Sequence, residues 1–167
     1  QETYTQENDH YITNNGYLVI LSGTTNDKYA GVGFIMLPGL RKVVHNFDCR
    51  NARMAAIKIR VTGGKIAFVT TYAPQSAHTS EIRAQFFNQL ESFYTNISVN
   101  GSTIICGDMN ARLRCKYADE DGIMGDHFSR DFINIQSSTP IEIFWPNFVI
   151  RRSYYSPTPI SIIWTSN

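Results

Sequence analysis

The chain has 167 residues, of which 43% are hydrophobic and 17% are charged, and its formal net charge is +1. This length is that of one domain, 1–167. A net charge so close to zero argues neither for bulk nucleic-acid binding nor against it, so any polyanion would have to be met at a local patch. Uncharged apolar runs reach only about ten residues, too few to span a bilayer, and no basic-then-apolar leader opens the chain. We therefore expect an intracellular protein, cytoplasmic or nuclear, that is not secreted and has no membrane partner.

Four segments in the first half of the chain predict strands. "YLVILSG" (17–23) and "GVGFIMLP" (31–38) are separated by a polar turn, and "MAAIKIRV" (54–61) and "KIAFVTTYAP" (65–74) flank "TGG". The glycines of that turn predict a hairpin, because glycine adopts positive φ at little cost. The strand at 65–74 is apolar on both faces, as an interior strand would be.

The stretch at 79–98 predicts the strongest helix, with Thr79 or Ser80 as its cap. Its apolar side chains recur at spacings of three or four: Ile82, Phe86, Leu90, Phe93 and Ile97. A weaker helix is predicted at 129–136, and short strands broken by prolines are predicted beyond Pro140. Strands, a helix and further strands in this order indicate an α+β fold.

The three cysteines, Cys49, Cys106 and Cys115, are odd in number and show no Cys-x-x-Cys spacing. We interpret them as free thiols in a reducing compartment.

"STIICGDMNARL" (102–113) predicts a buried strand that ends in polar side chains. Gly107 allows a sharp exit, and alternation would direct Asp108 and Asn110 to the same side if the backbone stays extended. A carboxylate can hold or deprotonate a water, and an amide can donate to a phosphate oxygen. Glycine, aspartate and asparagine are also favoured turn formers, so an ordinary turn is the alternative interpretation of this motif.

Several motifs together resemble the endonuclease/exonuclease/phosphatase superfamily, which includes deoxyribonuclease I, apurinic endonucleases and the endonucleases of non-LTR retrotransposons. They are "QET" (1–3), "AGVGFIML" (30–37), "TTYAPQ" (70–75), "CGDMNARL" (106–113) and "IIWTSN" (162–167). Their order is the order in the family, and the details look most like the retroelement branch. The resemblance covers essentially the whole chain and implies a four-layer α/β/β/α sandwich of the deoxyribonuclease I-like type.

The resemblance also implies an activity, the hydrolysis of phosphodiesters in DNA assisted by Mg²⁺ or Mn²⁺, with no other small-molecule cofactor. In that scheme Glu2 and Asp108 bind the metal, and Asp108 also orients or activates the attacking water. Asn110 and Tyr72 bind the phosphate.

The resemblance implies that DNA is the partner. Its contacts would be made by cationic side chains that follow the phosphate motif and by an aromatic side chain of the last strand. Arg112 and Arg114 would meet the DNA backbone, and Trp164 would line the binding surface.

The chain departs from the family pattern in ways that leave two alternatives open. The family has an asparagine before the glutamate motif and a serine-aspartate-histidine motif after the last strand, so we expect a domain truncated at both ends, and Thr70 stands where an asparagine is usual. Asp126 and His127 do not replace the missing pair, because adjacent side chains point apart, and we expect a loop there. The alternatives are an inactive remnant that keeps only the fold or nucleic-acid binding, and a phosphatase or phospholipase relative.

Overall fold

The computed structural model describes residues 1–27, 29–97, 101–110 and 161–164, with 101 and 161–164 described by their backbone alone. These residues form two β-sheets, one α-helix and a short 3₁₀ helix. The bounds are β1 Asp9–Ile12, β2 Leu18–Ser22, β3 Val32–Met36, the 3₁₀ helix Pro38–Val43, β4 Val44–Asn51, β5 Met54–Val61, β6 Gly64–Tyr72, α1 Ser80–Ile97, β7 Gly101–Asp108 and β8 Ser161–Trp164.

The first sheet is antiparallel, with strand order β1-β2-β3. Its central strand β2 is the most apolar of the three, and Ile20 is completely buried opposite Phe34 of β3. Strand β1 is exposed along its whole length, as expected for an edge strand with few apolar residues.

The second sheet has the order β4-β5-β6-β7-β8. Strands β4, β5 and β6 run antiparallel to one another, whereas β6, β7 and β8 are parallel. The predicted hairpin between β5 and β6 is confirmed, with Val61 opposite Gly64 and Gly63 at a φ of +88°. A parallel connection needs a crossover, and α1 provides the one between β6 and β7.

Helix α1 packs on the outer face of the second sheet. Its buried positions are those that the spacing predicts, Phe86, Leu90, Phe93 and Ile97, except that Ile82 in the first turn is 45% exposed. They contact the side chains of β5, β6 and β7 that point to this face, among them Ala56, Val69 and Ile105. Thr79 caps the helix, because its Oγ1 accepts a hydrogen bond from the Ile82 amide at 3.4 Å.

The opposite face of the second sheet packs on the first sheet. Alternation along β5 sends Ala56 toward the helix and Ile57 toward β2, where Ile57 lies against Leu18 and Ile20. The described residues thus form three layers, sheet on sheet with a helix outside. The predicted α+β class is correct, and one core runs on each side of the second sheet.

Some predictions fall on other parts of the chain. The helix expected at 129–136 and most of the strands expected beyond Pro140 lie outside the described residues, while β8 lies within the stretch where a last strand was expected. Strands β1 and β4 were not predicted. In β4, "VHNFDCRN", exposed polar residues alternate with only a few apolar ones, Val44, Phe47 and Cys49, which are partly buried against Leu18, Ile20 and Ile57.

Cys49 and Cys106 are free thiols, as predicted, and burial raises the pKa of both; Cys115 lies outside the described residues. In the part of the chain that the structure describes, no helix has the length and apolar character needed to cross a membrane.

Candidate functional site

The carboxyl ends of the parallel strands bring the predicted site residues to one edge of the second sheet. Tyr72, the last residue of β6, is the register partner of Asp108, the last residue of β7. On the other side of β7, the backbone of Trp164 pairs with Gly107. Neighbouring residues in register point to the same face, so Tyr72 and Asp108 both face the side of the first sheet.

Gly107 is required where β7 approaches β6. Its φ is +143°, and a β-carbon built there would overlap the carbonyl of Thr71. Beyond this close approach the chain continues without losing contact with β6, because the amide of Ala73 donates to the carbonyl of Asp108 at 2.8 Å. At Gly107 itself the strand does not leave the sheet, because Gly107 lies within β7 and the pairing with β6 continues past it.

The extended backbone does not persist to Asn110, contrary to the condition behind the alternation argument. Asp108 Oδ1 accepts a hydrogen bond from the Asn110 amide at 2.8 Å, and Asn110 has a φ of +45°. Asparagine tolerates this left-handed conformation better than most residues do. Its side chain turns back, and Nδ2 donates to the Ala73 carbonyl at 2.6 Å. The two side chains are therefore brought together by a turn and not by strand alternation.

Tyr72 combines a buried ring with a polar tip. The side chain is 6% exposed and packs against Ala30, Val32 and Ala55 between the two sheets. Its hydroxyl donates to Glu2 Oε1 at 2.8 Å. Burial raises the pKa of Tyr72 above the ordinary 10.0, and the hydrogen bond to Glu2 and the charge of Glu2 raise it further. The hydroxyl therefore stays protonated, and it is available as a donor, at neutral pH.

Glu2 reaches this place because the chain that follows it is anchored. The amides of Thr3 and Tyr4 donate to the carbonyls of Gly31 and Ala30, at 3.2 and 3.1 Å. Glu2 itself has a φ of +55°, an uncommon conformation for a residue with a β-carbon. Of the described non-glycine residues, three have positive φ, namely Glu2, Tyr4 and Asn110. Two of these are predicted site residues, and strained backbone tends to cluster at functional sites.

Arg53 is a part of this site that the sequence did not reveal. Its Nη2 forms an ion pair with Asp27 Oδ2 at 2.7 Å, and its Nη1 donates to the Tyr72 carbonyl at 3.3 Å. The guanidinium carbon lies 5.2 Å from the centroid of the Tyr72 ring. In the sequence Arg53 is one polar residue before an apolar strand. Only the pairing of β5 with β6 places it beside Tyr72.

The carboxylates of Glu2 and Asp108 are compatible in kind with Mg²⁺ or Mn²⁺, which prefer hard oxygen ligands. Glu2 accepts the Tyr72 hydroxyl on Oε1 at 2.8 Å and the Tyr4 hydroxyl on Oε2 at 3.5 Å, whereas Asp108 accepts the Asn110 amide on Oδ1 alone. Within the described ranges, no group of three or more histidine, cysteine, aspartate or glutamate residues is suited to hold a metal. Mg²⁺ often keeps several waters and takes only one or two carboxylates, so this pair fits its usual ligand set.

The residues expected to contact DNA are only partly described. Arg112 and Arg114 lie outside the described residues, as do Asp126 and His127, and Trp164 is described by its backbone alone. The chain matches no protein-family model, no curated protein and no solved structure.

Proposed function

We propose that the chain is a divalent-metal-dependent phosphodiesterase domain that cuts DNA, an endonuclease of the retroelement type with the deoxyribonuclease I-like sandwich. The observation that carries the proposal is the convergence of Glu2, Tyr72, Asp108 and Asn110 on one edge of the second sheet. Glu2 and Tyr72 are 70 residues apart in sequence and share a 2.8 Å hydrogen bond. The packing of sheet on sheet with a helix outside supports the same proposal.

Each side chain has a role that its surroundings permit. Asp108 keeps one carboxylate oxygen beyond its bond to Asn110, and this oxygen can hold the attacking water and accept its proton. Asn110 uses one amide hydrogen on the Ala73 carbonyl and has a second for a phosphate oxygen. The same bond fixes the orientation of the Asn110 side chain before any substrate arrives.

Tyr72 can donate its one hydroxyl proton either to Glu2 or to a phosphate oxygen. Glu2 and Asp108 would hold Mg²⁺ or Mn²⁺, which when bound polarises the phosphoryl oxygen and stabilises the leaving oxyanion. A Glu2 carboxylate engaged in this way no longer needs the Tyr72 proton, so the hydroxyl becomes free to turn to the phosphate. The raised pKa of Tyr72 keeps that proton in place at neutral pH.

The test is nicking of supercoiled plasmid by this chain in Mg²⁺ and in EDTA, with Asp108→Ala compared against Asp48→Ala. Asp48 is an exposed aspartate of β4, away from the strand ends that carry the site. We expect nicking that requires Mg²⁺ and falls by a factor of about 100 or more in Asp108→Ala, as for loss of a general base, and that is unchanged in Asp48→Ala.

Two results would contradict the proposal. Folded protein that does not nick DNA in Mg²⁺ or Mn²⁺ would favour an inactive remnant. Hydrolysis of a small phosphate ester without DNA nicking would favour a phosphatase or phospholipase relative.

A further inference from the structure

Arg53 has three contacts that converge on the Tyr72 side of the site. The guanidinium pairs with Asp27 at 2.7 Å, donates to the main-chain carbonyl of Tyr72 at 3.3 Å and lies 5.2 Å from the centroid of its ring. In the opposite direction, the Tyr72 amide donates to the Arg53 carbonyl at 2.9 Å. Arg53 therefore holds both the backbone and the ring of Tyr72.

The segment that supplies Asp27 also holds the chain that carries Glu2. Ala30 and Gly31 accept the amides of Tyr4 and Thr3, and the Gly31 amide donates to the carbonyl of Ala52, the neighbour of Arg53, at 2.9 Å. Gly31 allows this close approach, since its φ is +115° and a β-carbon there would collide with Thr3 Oγ1. This segment thus holds the residues that follow Glu2, and through Ala30 it also packs against Tyr72.

A fully exposed ion pair would be weak evidence for positioning, because such pairs contribute little to stability and leave their side chains mobile. The pair of Arg53 and Asp27 differs in its surroundings. The two side chains are 22% and 32% exposed, and the guanidinium is held by a main-chain carbonyl as well as by the carboxylate. A planar guanidinium with two fixed partners and an aromatic ring beneath it has a defined orientation.

We propose that Arg53 is a positioning residue which, oriented by Asp27, fixes the Tyr72 hydroxyl against the Glu2 carboxylate. Its consequence for catalysis rests on the proposed function, whereas the positioning itself does not. Asp27 acts through Arg53 and through its own segment, which holds the residues that follow Glu2. Loss of the ion pair loosens the Glu2–Tyr72 hydrogen bond without removing either of its partners.

The experiment measures the pKa of Tyr72 by NMR titration of protein labelled at the tyrosine ζ-carbons, with the Tyr72 signal assigned by Tyr72→Phe. The variants are Glu2→Gln, Asp27→Asn and the double variant, with Asp48→Asn as the matched control. Because the bond to Glu2 and its charge raise the pKa of Tyr72, Glu2→Gln should lower it. Asp27→Asn should lower it as well. Since the charge of Arg53 by itself lowers the pKa of Tyr72, a small fall should remain in the double variant, but it should be clearly smaller than the fall that Asp27→Asn causes in the wild type.

The double variant separates positioning from the charge of Asp27. If Asp27 acted only through its own charge, its replacement would lower the pKa equally with and without Glu2, and that additivity would overturn the proposal. An Asp27→Asn variant with the wild-type pKa of Tyr72 would overturn it too. Arg53→Lys, which keeps the charge but loses the fork, provides the same comparison should Asp27→Asn fail to fold.

Nicking assays on the same variants connect the positioning to activity. Asp27→Asn should slow Mg²⁺-dependent nicking on the order of 10-fold, the loss usual for residues that orient a site's side chains, and Asp27→Glu should restore part of it. A wild-type chain that does not nick but shows the predicted NMR pattern would retain the positioning and overturn the proposed function. The reverse result, nicking without that pattern, would overturn the positioning alone.

Discussion

The two ends of the second sheet hold their polar side chains by different means. At the end where β6 and β7 finish, Tyr72, Asn110 and Arg53 are largely or partly buried, and the last two donate to main-chain carbonyls. At the other end of β6, Lys65 Nζ lies 3.1 Å from one ring nitrogen of His45, while Arg60 Nη2 lies 3.1 Å from the other, all at the exposed surface.

The two ends also differ in charge. In the described part of the chain, no carboxylate forms an ion pair with Lys65 or Arg60, whereas Arg53 is paired with Asp27. Backbone partners and burial define geometry at one end, and solvent screens unpaired cations at the other. This difference supports the carboxyl end of β6 and β7 as the place of the proposed site.

The largest effect is expected for Gly107→Ala. A β-carbon there would overlap the Thr71 carbonyl, and the φ of +143° is unfavourable for alanine, so we expect a loss of about 3 kcal/mol in the free energy of unfolding. Gly63→Ala, at a φ of +88° but in open space at the opposite end, should cost only about 1 kcal/mol. Gly39, with open space and no positive φ, is the neutral control. Urea denaturation of the three variants tests the ranking, and an equal loss in all of them would contradict it.

A smaller loss in the free energy of unfolding is expected for Asn110→Ala. This change removes the bond to the Ala73 carbonyl and puts alanine at a φ of +45°, which together should cost about 2 kcal/mol. Asn46→Ala serves as the control, because Asn46 Oδ1 accepts only the neighbouring Phe47 amide at an exposed position. Thermal unfolding of both variants compares them. If the melting temperature falls no further in Asn110→Ala than in Asn46→Ala, the Asn110 side chain does not fix the turn.

The pH dependence of stability should reveal the Glu2–Tyr72 bond. Since the pKa of Tyr72 is raised in the folded state, its contribution is complete below the ordinary tyrosine pKa of 10.0 and is lost as pH rises through the folded value. Glu2→Gln lowers the folded pKa, so its stability should fall less between pH 8 and pH 11 than that of the wild type. Urea midpoints at the two pH values measure this, with Glu7→Gln as the control. An identical decline in all three proteins would mean that the bond is absent in solution.

The smallest effect is expected at the opposite end. Lys65 is the main cause that lowers the pKa of His45 below 6.5, followed by burial and by Arg60 and Lys58. A histidine whose pKa is lowered in the folded state contributes to stability above pH 6.5, and this contribution is lost as the pH falls. Because His45 is exposed, its titration should leave the melting temperature almost unchanged. By NMR titration, Lys65→Gln or added salt should raise the pKa of His45 toward 6.5. A His45 that responds to neither would contradict the described contacts.

The fold was predictable from sequence where side chains alternate between apolar layers. Periodicity located β2, β3, β5, β6 and α1, because burial on one or both faces leaves a clear apolar pattern. Strands β1 and β4 lie at sheet edges; β1 is exposed along its whole length and β4 at half of its residues. Their formation therefore depends on pairing with β2 and β5, which composition does not reveal.

The structure brings four of the predicted site residues to one edge of the second sheet, but their geometry was not predictable from the sequence. The residues of the "GDMN" motif were identified, yet alternation gave the wrong reason for their proximity, because Asn110 adopts a left-handed turn. The residues that follow Glu2 are held by the carbonyls of Ala30 and Gly31, a pairing that the sequence does not reveal. Arg53 and Asp27 could not be found, since only the tertiary arrangement brings them together.

The most direct test of the proposed site asks whether its carboxylates, Glu2 and Asp108, bind a divalent cation. Titration with Mn²⁺, followed by paramagnetic broadening of the amide signals, measures this. We expect broadening around Glu2, Tyr72 and Asp108 at low Mn²⁺, its loss in Asp108→Asn, and sharp signals around His45 and Lys65. Broadening that is absent around the proposed site, or that persists in Asp108→Asn, would contradict the proposal.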